Sequence, residues 1–227
     1  EKRRYGQRGG ATKYFVDCAK FARHPEVIQT DLLLRNVRSQ NVALIRAVAD
    51  DETIQKKHKR IVVKIFPFYH TNNQEYQIGE QLHQHKLPGF IRYICQFSCY
   101  DDTSNTAKAI SATQPSQTFT RHQICSATTS DENKKHVLVM PYVPSGSLES
   151  YPWDASNTGL LNSLLKHTVL SLAMAYHTLQ FIHGDLHLGN VLFKPTQPRD
   201  IRYHWGDTDL TLDTMGYKVV IVDFEKS

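Results

Sequence analysis

The sequence predicts an α+β protein with two lobes, a small β-rich lobe and a truncated larger lobe. Three β-rich runs separated by polar connections lie between residues 31 and 66, and this arrangement is typical of an antiparallel meander. A long segment with helical apolar periodicity follows at 160–181, where leucines recur on one broad stripe that includes Leu164 and Leu165. A tight polar loop, 183–190, then leads into a short apolar run. We therefore expect a β-rich half, a helix that packs in the other half, and a loop that follows the end of that helix.

Composition limits the class of protein. The chain has 227 residues, 40% of them hydrophobic and 10% aromatic, which is enough for a substantial buried core. Its four cysteines form neither CxxC pairs nor the density of a secreted disulfide scaffold, and this favours a reducing, intracellular compartment. No apolar run approaches the ~20 residues that span a bilayer. The cysteines are Cys18, Cys95, Cys99 and Cys125.

The chain is modestly basic, with a net charge of +5. Part of the excess lies in residues 1–8 and 56–60, which would suit an acidic protein partner or an assembly. A solvated tail and a solvated hairpin loop are the simpler interpretation, and nucleic acid is not the expected partner. Residues 1–30 form a basic extension to which we attach no chemistry, although 14–21 has a helical pattern.

The small lobe is expected at 31–140, with a polar insertion at 101–133. Its predicted strands are 32–34, 42–48, 61–66, 90–97 and a run that begins at His136. The third of these strands is apolar except for Lys64, and a buried ammonium needs an anion nearby unless it lies at an edge and reaches water.

A helix predicted at 72–85 follows the third strand. Glu75 shares its inward face with Ile78 and Leu82, whereas Glu80 is rotated by about 200° from Ile78. Glu75 is therefore the predicted ion-pair partner of Lys64, and Glu80 is the reserve candidate.

The larger lobe is expected at 141–227. After the run 191–193, the stretch to Gly216 is polar and is interpreted as a long connection, and its carboxylates are treated as surface groups because they lack the spacing of a calcium loop. These carboxylates are Asp207, Asp209 and Asp213. A buried-looking strand at 218–222 then leads into Asp223.

The loop that begins at His183 carries the sharpest functional signal. Asp185 precedes Asn190 by five positions. A carboxylate that can orient a hydroxyl, with an amide oxygen close by for a divalent cation, is what phosphoryl transfer requires. The alternative is a turn that only caps a helix and starts a strand.

The segment HGDLHLGNVLF, residues 183–193, resembles the catalytic loop of the protein-kinase-like superfamily. The resemblance implies that Asp185 is the catalytic base and that Asn190 and Asp223 bind Mg²⁺. Gly184 stands where protein kinases have arginine, so control through a phosphorylated activation loop is not expected. His187 stands where they have lysine, a position beside the catalytic aspartate. The form HGDLHxGN, with a DFE ending at 223–225, is similar to aminoglycoside phosphotransferases and to other atypical or viral serine/threonine kinases.

The same resemblance implies an ATP site. Lys64 would hold the nucleotide phosphates and pair with Glu75, and Met140 would occupy the gatekeeper position. Tyr142 and Val143 would run along the adenine edge in the hinge, where Val143 has a backbone N–H to donate. Leu192 would also contact the nucleotide. The implied cofactors are ATP and Mg²⁺.

Two features depart from the family pattern. The connection at 35–41 has no glycine, although a glycine-rich loop normally covers the phosphates. The sequence also stops at Ser227, four positions after Asp223, and it begins with Glu1 instead of methionine. We expect residues 1–227 alone to show little or no turnover.

The leading hypothesis is an ATP- and Mg²⁺-dependent phosphotransferase that acts on a hydroxyl of a protein Ser/Thr or of a small molecule. The hinge segment favours a protein acceptor, whereas HGDLH and DFE favour a small molecule. The alternative is a catalytically degenerate kinase-like scaffold, such as a virion component of a large DNA virus.

Overall fold

A computed structural model describes residues 28–37, 42–49, 61–67, 74–100, 134–197, 199–205 and 207–227. The chain divides into two compact units, Glu1–His70 with Ile94–Met140 and Thr71–Tyr93 with Pro141–Ser227. Sheets and helices together confirm the α+β class. In the described part of the chain, no helix has the length and apolar character to cross a membrane. The predicted helix at 14–21, both basic runs and the polar insertion lie outside the described residues.

The first unit contains a five-stranded sheet with the order β1-β2-β3-β5-β4. β1 pairs antiparallel with β2 and β2 with β3, which confirms the predicted meander. Lys64 lies on β3 opposite Leu44 of β2, and its residue is only 6% exposed. The strands are β1 (Ile28–Val37), β2 (Val42–Ala49), β3 (Ile61–Pro67), β4 (Cys95–Tyr100) and β5 (Lys134–Pro141).

The strand predicted at 90–97 begins only at Cys95. The residues around Phe90 hydrogen-bond elsewhere, because Ile91 N donates to Ile221 O at 2.9 Å and Ile221 N donates to Gly89 O at 2.7 Å. Phe90 forms an isolated parallel bridge to Ile221. The backbone of this segment is thus satisfied within the second unit, a tertiary pairing that apolar alternation does not reveal.

The second unit has two helices and two two-stranded sheets, β6 with β9 and β7 with β8. α1 confirms the predicted helix after β3, and it buries Glu75, Gly79 and Leu82. The elements are α1 (Gln74–Gln84), α2 (Thr158–Leu179), β6 (Val191–Pro195), β7 (Asp200–Trp205), β8 (Thr208–Asp213) and β9 (Tyr217–Ile221).

The polar stretch before Gly216 is not an irregular connection, because it contains the antiparallel hairpin of β7 and β8. Most side chains of both strands are exposed. Polar and apolar residues do alternate along β7, and the interpretation as a connection overlooked this strand signal. Asp207, Asp209 and Asp213 are exposed, as expected.

α2 forms one wall of the core of the second unit. Asp154 and Asn157 form a capping box on the short 3-10 turn that precedes the helix. Leu164 is fully buried, whereas Leu165 is 41% exposed, although both were predicted on the buried stripe. One residue corresponds to about 100° of helical rotation, so neighbouring leucines at the edge of a stripe differ in burial. The core cluster comprises Leu148, Leu164, Val191, Phe193 and Val219.

α2 also buries a histidine in this core. His167 is 1% exposed, and its Nδ1 accepts a hydrogen bond from Val219 N at 3.4 Å. The Tyr203 hydroxyl donates to the carbonyl of His167 at 3.4 Å, and the two rings meet edge to face. Burial, and secondarily the charge of Lys218, lowers the pKa of His167 to about 4. The ring is therefore a neutral core group at physiological pH.

Replacing Leu164 with alanine should lower the free energy of unfolding of the second unit by about 2–5 kcal/mol, because the cavity would lie among buried neighbours. Leu165→Ala is the matched control and should cost about 1 kcal/mol or less. Urea unfolding monitored by tryptophan fluorescence measures both, since Trp153 and Trp205 lie in this unit. Equal losses for the two variants would contradict the burial assigned to α2.

The buried His167 should make the second unit sensitive to acid. Its pKa in the folded state is below the unfolded value of about 6.5, so the unfolded chain binds the additional proton between these two pH values. Stability should fall on the order of 3 kcal/mol as pH drops from about 6.5 to 4.

His167→Gln should flatten this part of the stability–pH curve, whereas the exposed His85→Gln should leave it intact. Urea titrations between pH 4 and 7 test the expectation, and the same slope in all three proteins would refute it.

Candidate active site

The candidate catalytic loop is held at both ends by regular structure. α2 ends at Leu179 and is capped by Gln180, which has a left-handed conformation and whose N–H donates to the carbonyl of Tyr176 at 2.8 Å. The chain then passes through Phe181 to the loop and into a short 3-10 turn, Leu188–Asn190, that leads directly into β6. His187 is the N-cap of this turn, where its Nδ1 accepts from Gly189 N at 3.1 Å.

Asp185 and Asn190 are brought together across the loop. The Asn190 side-chain nitrogen donates to the carbonyl of Asp185 at 3.1 Å, and Asp185 N donates to the carbonyl of His183 at 2.8 Å. Asn190 is buried, whereas the Asp185 side chain is 45% exposed. The side-chain nitrogen of Asn190 thus shapes the loop, while its side-chain oxygen remains a candidate cation ligand.

Strand pairing brings the backbone before Asp223 next to Asn190. β6 and β9 are antiparallel with Val191 opposite Ile221, so the residues just before β6 and just after β9 are neighbours. Val222 N donates to the carbonyl of Asn190 at 3.0 Å. Asp223 follows with φ +70°, a left-handed conformation that is uncommon for a residue other than glycine.

Aromatic side chains pack behind the loop. Phe224 is fully buried and meets His183 edge to face at 5.9 Å between ring centroids. The His183 Nε2 donates to the carbonyl of Val222 at 2.9 Å, since a carbonyl can only accept. Further ring contacts of Phe224 are with Phe90, Tyr93 and Phe181. The packing fixes the segment after β9 against the start of the candidate catalytic loop.

Tyr93 connects this packing to α1. Its ring lies 5.9 Å from that of Phe224, and its hydroxyl donates to Glu75 Oε1 at 2.7 Å. Burial, and then the negative charge of Glu75, raises the pKa of Tyr93 well above its ordinary value. Gly79 faces the same ring so closely that an added Cβ would lie 2.5 Å from it. Glycine at that position is what lets α1 pack against Tyr93.

Three carboxylates converge beside Phe224. One oxygen each from Glu75, Asp223 and Glu225 lies within 4.8 Å of the others. Glu75 is buried, Asp223 is half-buried and Glu225 is exposed. Carboxylate oxygens are the ligands that Mg²⁺ prefers, so this donor set fits the cation that the loop motif implies. Asp223 was expected as a metal ligand, whereas Glu75 was expected at the nucleotide and Glu225 was named only as the last residue of the DFE ending.

The carboxylate of Asp185 forms an ion pair with a lysine. Lys226 Nζ donates to Asp185 Oδ2 at 2.9 Å. The hydrogen bond from Lys226 lowers the pKa of Asp185, with smaller contributions from the charges of Lys226, His187 and His183. Asp185 in turn raises the pKa of Lys226. The carboxylate is therefore held in its ionised form.

The remaining predicted residues are placed separately in the two units. Lys64 belongs to the first unit and Glu75 to the second, so their ion pair stays a prediction. Met140, at the end of β5, is 8% exposed. In the second unit Val143 is 5% exposed. Tyr142 and Leu192 are half-buried there.

Sequence reasoning assigned no site role to three residues that the structure places here, Tyr93, Glu225 and Lys226. A buried tyrosine with an acidic partner has no local pattern. Glu225 and Lys226 had a weak signal in the sequence, because they are charged and lie two and three positions after Asp223, a predicted metal ligand.

Comparison with known proteins supports the class that the loop motif predicted, which is the protein-kinase-like superfamily. The relatives include the serine/threonine-protein kinase haspin of Mus musculus, which is 38% identical over 80 residues, 35% of this chain and 11% of that protein. The haspin homolog of Drosophila melanogaster is 37% identical over 79 residues, 33% of this chain and 14% of that protein. The chain thus matches only a small part of either relative.

No family model matches the chain. Among solved structures, the MAP kinase LmaMPK10 from Leishmania major aligns with a TM-score of 0.46 and 10% identity. The alignment covers 96% of this chain and 52% of that one.

Tyr93→Phe should lower the free energy of unfolding of the second unit by about 1–3 kcal/mol, because Glu75 would lose a buried hydrogen-bond donor. Tyr217→Phe is the control, because Tyr217 is half-buried in the same unit and packs on Phe193. Tryptophan fluorescence during urea unfolding gives both values. A Tyr93 variant as stable as the parent would show that the Glu75 contact carries no net stability.

Proposed function

We propose that this protein is an ATP- and Mg²⁺-dependent phosphotransferase with a hydroxyl acceptor. One observation carries the proposal, the placement of Asp185, Asn190 and the strand end before Asp223 in one hydrogen-bonded cluster. A candidate base and two oxygen ligands at one point are the parts that phosphoryl transfer requires. The similarity to kinases over a third of the chain supports the same chemistry.

In this proposal the Asp185 carboxylate accepts the proton of the acceptor hydroxyl as that oxygen bonds to the γ-phosphorus and the bond to the β-phosphate oxygen breaks. Asn190 and Asp223 supply oxygen ligands for Mg²⁺, which neutralises phosphate charge when bound. His187 lies two positions after the base and takes the place of the lysine at that position in protein kinases.

Lys64 would bind the phosphates of the nucleotide with Glu75 as counter-ion, and Val143 would donate its backbone N–H to the adenine. The remaining proposed adenine contacts are Met140, Tyr142 and Leu192.

The acceptor proposed first is a protein serine or threonine, because the haspin relatives are named as serine/threonine-protein kinases. A small-molecule hydroxyl is the second choice, and the glycine at 184 supports it. An intracellular location would supply both ATP and Mg²⁺.

Asp185→Asn should reduce phosphate transfer by about 10²–10⁴-fold, the usual contribution of a general base, while Mg²⁺-ATP binding changes little. Asp223→Ala should instead weaken binding of Mg²⁺-ATP. Calorimetric titration and a transfer assay with radiolabelled ATP separate the two effects in the full-length protein. Asp207→Asn, an exposed carboxylate in the β7–β8 connection, is the control and should change neither.

Two results would contradict the proposal. Transfer that is unchanged in Asp185→Asn would remove Asp185 from the chemistry. Absence of Mg²⁺-ATP binding in the full-length protein would favour the scaffold hypothesis instead.

A further inference from the structure

The segment after Asp223 folds back onto the candidate catalytic loop. We call residues 224–227 the clasp. Its turn is closed by Ser227 N, which donates to the carbonyl of Phe224 at 3.1 Å. Ser227 Oγ then donates to the carbonyl of His183 at 3.2 Å. The clasp is therefore bonded to the loop backbone independently of any charged side chain.

Gly184 is the residue that admits the clasp. Its φ is +69°, and a Cβ added there would lie 2.2 Å from the carbonyl oxygen of Lys226 and 3.0 Å from its carbonyl carbon. Any other residue would be strained in its own backbone and would also collide with that of Lys226. This contact gives a physical reason for glycine at the position where the protein-kinase loop has arginine.

The clasp brings the Lys226 ammonium to the Asp185 carboxylate at 2.9 Å. The two side chains are 60% and 45% exposed, and exposed ion pairs contribute little to stability. Stability therefore does not explain the ion pair. Its position points to a role in the site, because Asp185 is the candidate base. His187 occupies the usual lysine position of the loop, so that position has no permanent cation.

We propose that Lys226 is a positioning residue for Asp185, supplied by the clasp in place of the missing loop lysine. Its ammonium fixes one carboxylate oxygen, and the other oxygen is left to take the acceptor proton. The kinetic part of this proposal rests on the proposed function, whereas the ion pair itself does not.

Carboxyl-carbon NMR of the full-length protein labelled with [¹³C]aspartate tests the ion pair without any activity. The Asp185 resonance is assigned by its loss in Asp185→Asn. At a fixed pH of about 7, Lys226→Met should move the Asp185 carboxyl resonance, because the ammonium that is hydrogen-bonded to Oδ2 is gone. Lys226→Arg should restore the native resonance position, and Lys166→Met, at an exposed lysine on α2, should not move it.

Gly184→Ala should move the Asp185 carboxyl resonance in the same direction as Lys226→Met, because it displaces the clasp while Lys226 is retained. If this variant does not fold, the Lys226 variants decide the question alone. An Asp185 resonance at the same position in Lys226→Met and in the native protein would overturn the proposal.

The kinetics of transfer test the positioning role. Lys226→Met should lower kcat by about tenfold or more with KM for ATP unchanged, because the Asp185 carboxylate is no longer held in place, and Lys226→Arg should restore kcat. An unchanged kcat in Lys226→Met would overturn the positioning role. If the native protein transfers no phosphate, the proposed function fails, and the Asp185 carboxyl resonance still decides whether Lys226 holds Asp185.

Discussion

The candidate site depends on the antiparallel pairing of β6 with β9. Only five residues of each strand take part, from Val191 opposite Ile221 to Pro195 opposite Tyr217. This register decides which residues meet where the two strands end, at Asn190 on one side and Val222 on the other. The hairpin of β7 and β8 lies within the connection between these strands, so its length can vary without changing the register. A shift of one residue would turn buried Val191 and Phe193 away from the core, and this cost protects the site geometry.

The second constraint is the burial of Phe224. Its ring fills space between Phe90, Tyr93, Phe181 and His183, and the residues on either side of it carry carboxylates. An apolar anchor flanked by charged neighbours orients those charges without burying them fully. Glu75 approaches the same region through the Tyr93 hydroxyl. The acidic groups are thus positioned by aromatic packing, which is stiffer than a network of exposed ion pairs.

Sequence reasoning found the parts of the fold that have local periodicity. α1, α2 and the β1–β3 meander were predictable because apolar residues recur along them at the period of a helix or a strand. The β7–β8 hairpin was missed although polar and apolar residues alternate along β7, because the polar composition of the whole stretch was taken as that of a connection. Leu165 was misplaced because it lies at the edge of the buried stripe. The spacing of Asp185 and Asn190 was readable as a motif within one loop. The bonds of Tyr93 to Glu75 and of Lys226 to Asp185 join distant parts of the chain, and only the fold reveals them.

Gly184 also restricts how this loop can evolve. An arginine at that position would offer a docking point for a phosphorylated segment, but its Cβ would have to occupy the space of the Lys226 carbonyl. A single substitution therefore cannot add phosphate-dependent regulation to the loop while the clasp stays in place. The backbone after Phe224 would have to be remodelled first, and the intermediate forms would have lost one arrangement before gaining the other. The arginine and the clasp are therefore mutually exclusive at this position for a steric reason.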